Sequence, residues 1–398
     1  MKPYRSLYTY PWDILDAGVS HFVDDVLAMG IHDVTLATSY HAGKFLRPHA
    51  RRGPKVIFPE DGVVYFEPAL TRYGEIKPQP HSDPEIRGVL DDLLEDGRLR
   101  VHGWTVLLHN TRLGQLHPQF TAHNVFGDSY PYSLCPMHDE VFHYALTLSA
   151  DLTRQYPLKS IVLETPGWLP YAHGYHHEFS QVRSNVWLDA MLGLCFCPAC
   201  CAQAAQKGIA IESLQRRIAA RIDACLTGPS DLNPDQAHVN LQKDMERDSD
   251  LAAFIAMRQT RVTQLVAAIR RALPQTCQLA VIPTVQRPST LAWLEGSDLS
   301  ALAANTDWLE MPFYEPTASR TIADASATLQ QVKNASKLRA ILRPGPPDLG
   351  DGAELNEAMD GLQKLGIRDF AFYNYGLLRR ERLDALAGTL KTFDSEHP

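Results

Sequence analysis

Glu164 closes a short aliphatic run, Ser160-Ile-Val-Leu-Glu164, and the turn Thr165-Pro-Gly-Trp168 follows at once. That pattern sets one carboxylate where a buried strand opens into a long polar loop. A second, Glu310, lies in Trp308-Leu-Glu-Met-Pro-Phe-Tyr314. Strand alternation puts Glu310, Pro312 and Tyr314 on one face and Leu309, Met311 and Phe313 on the other. Glycosyl transfer to water needs two carboxyl groups flanking one bond. One protonates the leaving oxygen; the other attacks the anomeric carbon or activates water. Glu164 and Glu310 are the expected catalytic pair, with Asp13, Glu67 and Glu315 in reserve. The competing reading of each is a structural acid held by ion pairs or hydrogen bonds. Their individual roles, and retention versus inversion, depend on the carboxyl separation and stay open.

Cys195-x-Cys197-x-x-Cys200 supplies three thiols at metal-ligand spacing. A tetrahedral zinc would want a fourth ligand. Cys135 is one candidate; Cys201, His173, His176 and His177 are others. A shell closed by four thiolates would make the zinc structural, and buried free thiols are the alternative. Cys225 and Cys277 stand alone in apolar segments and read as core. The run His173-x-x-His176-His177-Glu178 lacks the HExxH order of a zinc protease. It reads as a substrate-binding or packing loop.

The elements that must position these groups follow from periodicity. Strands are expected at about 6–10, 33–40, 100–110, 160–164, 278–285, 307–314, 338–343 and 369–375. Helices are expected at 19–29, 84–95, 139–155, 201–207, 211–226, 250–273, 353–365 and 380–393. Residues 55–58 and 63–67 read as a small hairpin, and 227–243 as an exposed connection. Strands separated by helices imply an α/β fold, a single (β/α)8 TIM barrel over residues 1–398. Long strand-end loops insert at about 41–83, 111–138 and 165–200. Such a barrel gathers its reactive groups at the carboxyl ends of the strands. Tyr40, His41, His109, Asn110, Asn124, His176, His177, Tyr314, Arg343 and Asn374 form the expected binding shell. Rings, amides and cations of this kind suit a polyhydroxylated ligand.

Composition narrows the class. With 45% hydrophobic and 21% charged residues over 398 positions, the chain is ordinary globular material able to bury a large core. A net charge of -8 without a basic stripe argues against nucleic acid. No apolar run reaches membrane-spanning length, and the start Met1-Lys-Pro-Tyr-Arg-Ser6 has no apolar signal region. The reading is a soluble, cytoplasmic protein with no membrane partner and no organic cofactor; a homo-oligomer is compatible with it. The cysteine spacing does not suit a secreted disulfide framework.

On these residues the chain resembles glycoside-hydrolase-type (β/α)8 barrels. It is similar in part to the zinc-containing β-galactosidases, where a lone cysteine after strand three joins a CxCxxC run after strand four. Cys135, Cys195, Cys197 and Cys200 fit that order. The family's Asn-Glu pair on strand four is Leu163-Glu164 here, and Ala340-Ile-Leu-Arg-Pro344 lacks the strand-seven glutamate. The α-galactosidase-like superfamily has acids on strands four and six, as Glu164 and Glu310 would be, but uses aspartates. The segments Tyr171-Ala-His-Gly-Tyr-His-His-Glu178 and Leu194-Cys-Phe-Cys-Pro-Ala-Cys200 also resemble those of uncharacterised bacterial barrel proteins. The resemblances imply a glycosidase or transglycosidase acting on a small sugar or oligosaccharide. The strand-four and strand-six analogy makes Glu164 nucleophile and Glu310 acid/base; the zinc β-galactosidase analogy makes Glu164 the acid. Two rivals stand beside this reading. A metal-dependent sugar isomerase, epimerase or aldolase would lose activity to a chelator. A non-catalytic carbohydrate-binding barrel would bind sugar without turnover.

Overall fold

A computed structural model describes residues 3–173, 182–228 and 231–396. Eight strands carry the fold: β1 (Arg5–Thr9), β2 (Asp33–Tyr40), β3 (Arg100–Val106), β4 (Ser160–Glu164), β5 (Gln278–Ile282), β6 (Trp308–Pro312), β7 (Leu338–Leu342) and β8 (Asp369–Phe372). Each pairs in parallel with the next, and β8 returns to β1, so the sheet closes on itself. This is the (β/α)8 barrel that the spacing predicts.

Alternation along the strands sorts two cores. Leu7, Val34, Leu36, Ile161, Leu163, Leu309 and Met311 face outward and pack against the helices. Tyr8, Ala37, Trp104, Val162, Ala280, Ile341 and Ala371 fill the barrel. Small side chains there make room for two large rings, as a filled barrel requires. Below them the interior turns polar. Asp33 Oδ1 lies 2.9 Å from His102 Nε2, and His102 Nδ1 lies 2.7 Å from Ser160 Oγ. This Ser–His–Asp series is buried at the amino ends of three adjacent strands, the end of such a barrel that serves stability.

Several elements differ from expectation. Pro11–Ala17, where no helix is expected, is a short helix with proline at its first position. Residues 227–243 are not simply an exposed connection: Pro234–Arg247 is a helix opened by an Asn233–Gln236 capping box. Ala318–Val332 is a helix the sequence reading left out. The small hairpin also pairs otherwise. Val56–Ile57 joins Phe45–Leu46, while Val63–Val64 runs antiparallel to the end of β2. Two-residue strands carry too little periodicity to reveal their partners.

Candidate active site

Glu164 ends β4 and is partly exposed at the floor of a cavity of about 380 Å³ at the carboxyl end of the barrel. Trp104 on neighbouring β3 donates its indole N–H to Glu164 Oε2 at 2.5 Å. Burial pushes the carboxyl up to about 7, and the Trp104 bond draws it part of the way back. The acid therefore gains and loses its proton near neutral pH. Among the described residues it is the one carboxylate lining this cavity.

Aromatic rings make much of the cavity's lining. Tyr8, Tyr40, Trp104, Tyr314 and Tyr373 all line it. Tyr40 meets Trp104 edge-on at 5.1 Å, and His41 stacks on Tyr40 at 4.2 Å. The lining also carries two cations. Arg287 follows β5 and Arg343 follows β7, and both line the cavity. Behind them Asp348, nearly fully buried, accepts Arg287 at 3.1 Å on Oδ1 and meets Arg343 at 3.0 Å through Oδ2. Arg343 also lies over the Tyr314 ring, 4.2 Å from its centroid.

Glu310 is not at the mouth. It is 0% exposed and does not line the cavity. Its Oε1 accepts the Tyr4 hydroxyl at 2.8 Å and the Tyr8 hydroxyl at 3.1 Å, and Arg339 stands 3.8 Å from Oε2. The alternation reading was right about its face, since Pro312 and Tyr314 share that face and do reach the cavity. The depth was wrong. Pro312, the last residue of β6, is two positions further on, so Glu310 lies one layer down. Burial raises its pKa against the pull of Arg339 and the two tyrosines.

The expected binding shell divides. Tyr40, His41, Tyr314 and Arg343 line the cavity. His109 stands one ring away, stacked on His41 at 3.8 Å. The three asparagines support loops. Asn110 caps the helix Thr111–Leu116 and donates to the Gly62 carbonyl at 3.0 Å. A Cβ at Gly62 would fall 2.0 Å from the Asn110 amide oxygen, so the position requires glycine. Asn124 bonds Asp128 and Tyr130. Asn374, 0% exposed, accepts the Gly376 N–H. His176 and His177 lie outside the described residues. Of the reserve acids, Asp13 is clamped by Arg47 at 2.6 Å, Glu315 pairs with Arg320 at 2.9 Å, and Glu67 pairs with Arg87 on the surface.

Sequence reading missed Glu295. It is 2% exposed and accepts the Thr284 hydroxyl at 2.6 Å and the Val285 N–H at 2.9 Å. Thr284 and Val285 line the cavity, so Glu295 holds the β5-end loop in place. Burial, with Glu164 nearby, pushes its carboxyl up to about 8. Tyr8 and Trp104 were missed too. Their inward register in β1 and β3 was the available signal.

Cys135, Cys195, Cys197 and Cys200 are all buried, and their sulfurs lie within 4.8 Å of one another. None forms a disulfide. The Cys135–Cys200 and Cys135–Cys197 pairs are 3.5 and 3.6 Å apart. A tetrahedron with Zn–S near 2.3 Å would set sulfurs about 3.8 Å apart, so the cluster suits a metal of that size. The surroundings suit it as well. Arg258, 1% exposed, lies close enough to Cys135, Cys195 and Cys200 to interact with them electrostatically. A divalent ion with four thiolates carries excess negative charge, and a buried guanidinium offsets it.

No family model and no curated protein matches the chain. Solved structures do match in fold. The glycoside hydrolase domain of PgaB (BpsB) from Bordetella bronchiseptica aligns at a TM-score of 0.59 and 13% identity, covering 98% of this chain and 99% of that one. The β-galactosidase from the psychrophilic Marinomonas ef1 aligns at 0.56 and 12%, over 98% of this chain and 59% of that one. α-L-Fucosidase isoenzyme 2 from Paenibacillus thiaminolyticus aligns at 0.53 and 12%, over 99% of this chain and 50% of that one. The chain thus spans little more than half the length of the last two. Fold and site define a (β/α)8 barrel with long strand-end loops and a polar, ring-walled cavity at the carboxyl end. The chain is similar in architecture to glycoside hydrolases of several kinds.

Proposed function

We propose that this chain is a glycosidase or transglycosidase acting on a small sugar or oligosaccharide, with Glu164 as the general acid. The observation that carries the reading is a single carboxyl on the cavity floor, pushed up to about 7. A general acid works best when its pKa lies near the working pH. The rings of Tyr40, Tyr314 and Tyr373 line the cavity, the kind of aromatic surface a sugar packs against. The three fold relatives named above, all glycosidases by name, favour the reading through their architecture. Glu310 takes a supporting part here rather than that of a second flanking carboxylate, so attack at the anomeric carbon falls to a group of the substrate itself, as in substrate-assisted glycosidases. It holds the Tyr8 phenol, which lines the cavity, and fixes the β1–β6 spacing through two tyrosine bonds. The four cysteines would hold a structural zinc, which pins the loop after β3 to the loop after β4.

The test is turnover of a panel of α- and β-aryl glycosides, neutral and acidic, by wild type and Glu164→Gln. The expected loss in the variant is about 100-fold or more with the melting temperature unchanged. Turnover that survives the substitution would remove Glu164 from the chemistry.

A further inference from the structure

The cavity's cationic wall has a consequence for the ligand. Two guanidiniums, Arg287 and Arg343, face the cavity, and one buried carboxylate, Asp348, stands behind both. Two positive charges against one negative leave one positive charge on that wall. The floor cancels it only in part near pH 7, because Glu164 is raised to about 7 and is then partly protonated. A neutral sugar needs no net charge opposite it. A purely structural triad would also be buried throughout. Here the Asp348 carboxylate is 1% exposed, while the Arg287 and Arg343 side chains are 41% and 25% exposed.

The two cations are also held still. Each takes a different oxygen of Asp348, and each lies over Tyr314, at 5.7 and 4.2 Å from the ring centroid. The Arg343 and Arg287 side chains remain partly exposed to the cavity beyond their contacts with Asp348. Fixed guanidinium forks with donors to spare suit a planar or tetrahedral oxyanion, which they can bond in bidentate fashion.

We infer that the cavity takes a sugar bearing an anionic group, a carboxylate or a phosphate, seated on Arg287 and Arg343 with its ring against the tyrosines. The inference rests on the carbohydrate reading above and names the substrate class for the same site. It assigns the two arginines to specificity and leaves proton transfer to Glu164.

Calorimetric titration tests it. The probes are D-glucuronate, D-galacturonate and D-glucose 6-phosphate, each beside its neutral parent sugar. Wild type is expected to bind at least one acidic sugar about ten-fold more tightly than its parent. Arg343→Met and Arg287→Met should each reduce that preference, and the double variant should abolish it. The uronate and phosphate arms say which oxyanion the wall prefers. Arg287→Lys and Arg343→Lys, which keep charge but lose the fork, should retain part of the preference and show that the variants fold. Equal affinity for acidic and neutral sugars, no binding of any acidic probe, or a preference that survives the double variant would each overturn the inference. Its failure is separable from that of the glycosidase reading. Neutral aryl glycosides turned over in a Glu164-dependent way, with no acidic preference, would sink this inference alone. Arginine-dependent binding of acidic sugars with no Glu164-dependent turnover would sink the glycosidase assignment instead.

Discussion

At the scale of single residues, the site turns on how burial and one hydrogen bond set the Glu164 proton. Burial raises its pKa to about 7; the Trp104 N–H, which bonds the carboxylate, opposes the rise. If Glu164 donates the proton, kcat/KM should fall above about pH 7 as the acid ionises. Trp104→Phe removes the opposing bond, so that alkaline limb should move to higher pH, on the order of one unit. A pH–rate profile of the two proteins checks it; a limb that stays put would mean another group sets it. Glu164 itself was legible in the sequence because a lone carboxylate at a strand end before a turn is a strong signal. Trp104 was not, because a tryptophan inside a strand reads as core until the neighbouring strand is known. His41 and Arg343 were legible as strand-end polar groups. Asn110, Asn124 and Asn374 show the weakness of that signal, since caps and turns use the same residue type at the same places.

At the scale of elements, two devices hold the loops that shape the cavity. Glu295 bonds the β5-end loop, and its carboxyl is raised to about 8. A raised carboxyl keeps its proton in the folded state after the unfolded chain has lost its own. Stability contributed this way falls as pH rises from about 4.5 to about 8, then levels off. Glu295→Gln keeps an acceptor for Thr284 and Val285 and cannot ionise. It should match wild type near pH 5 and exceed it by about 1–3 kcal/mol near pH 8. Chemical denaturation at the two pH values measures the difference, and a deficit for the variant at both would refute the assignment. The second device is the cysteine cluster. Cys135 follows the strand Ser129–Leu134; Cys195 and Cys197 lead into the helix Pro198–Gln206, and Cys200 lies in its first turn. With zinc bound, purified protein should contain about one equivalent of metal per chain. Cys197→Ser should lose it along with about 3 kcal/mol or more of stability. Elemental analysis beside thermal melts reads both, and a metal-free wild type with the same melt as the variant would refute the site. The cysteine spacing was plain in the sequence. The role of Arg258 was not, since nothing in a helix of 24 residues marks one arginine as buried.

At the scale of the whole molecule, the barrel separates the cavity end, where the proposed chemistry lies, from a structural one, and Glu310 shows how narrow the separation is. The eight-strand pattern was legible because each barrel strand is apolar, short and bounded by turns. What sequence left open was depth along a strand. One step of two residues moves an inward side chain from the mouth into the packed interior, and Glu310 took that step. The placement has a consequence that separates support from catalysis. Both tyrosine hydroxyls donate to the same oxygen, Oε1. Glu310→Gln keeps that acceptor, removes the charge, and leaves Arg339 with Asp369 and the faces of Tyr4 and Trp308. It should therefore cost about 1–2 kcal/mol, since Arg339 loses its nearer carboxylate but keeps Asp369 and both rings. Glu310→Ala removes the same charge and also strands the two phenols, and should cost about 3 kcal/mol or more. If Glu310 only positions Tyr8, turnover in Glu310→Gln should stay within about ten-fold of wild type, far from the loss expected at Glu164. A loss in Glu310→Gln as large as in Glu164→Gln, with the melting temperature unchanged, would restore the paired-carboxylate mechanism and require the cavity floor to open as far as β6 during turnover.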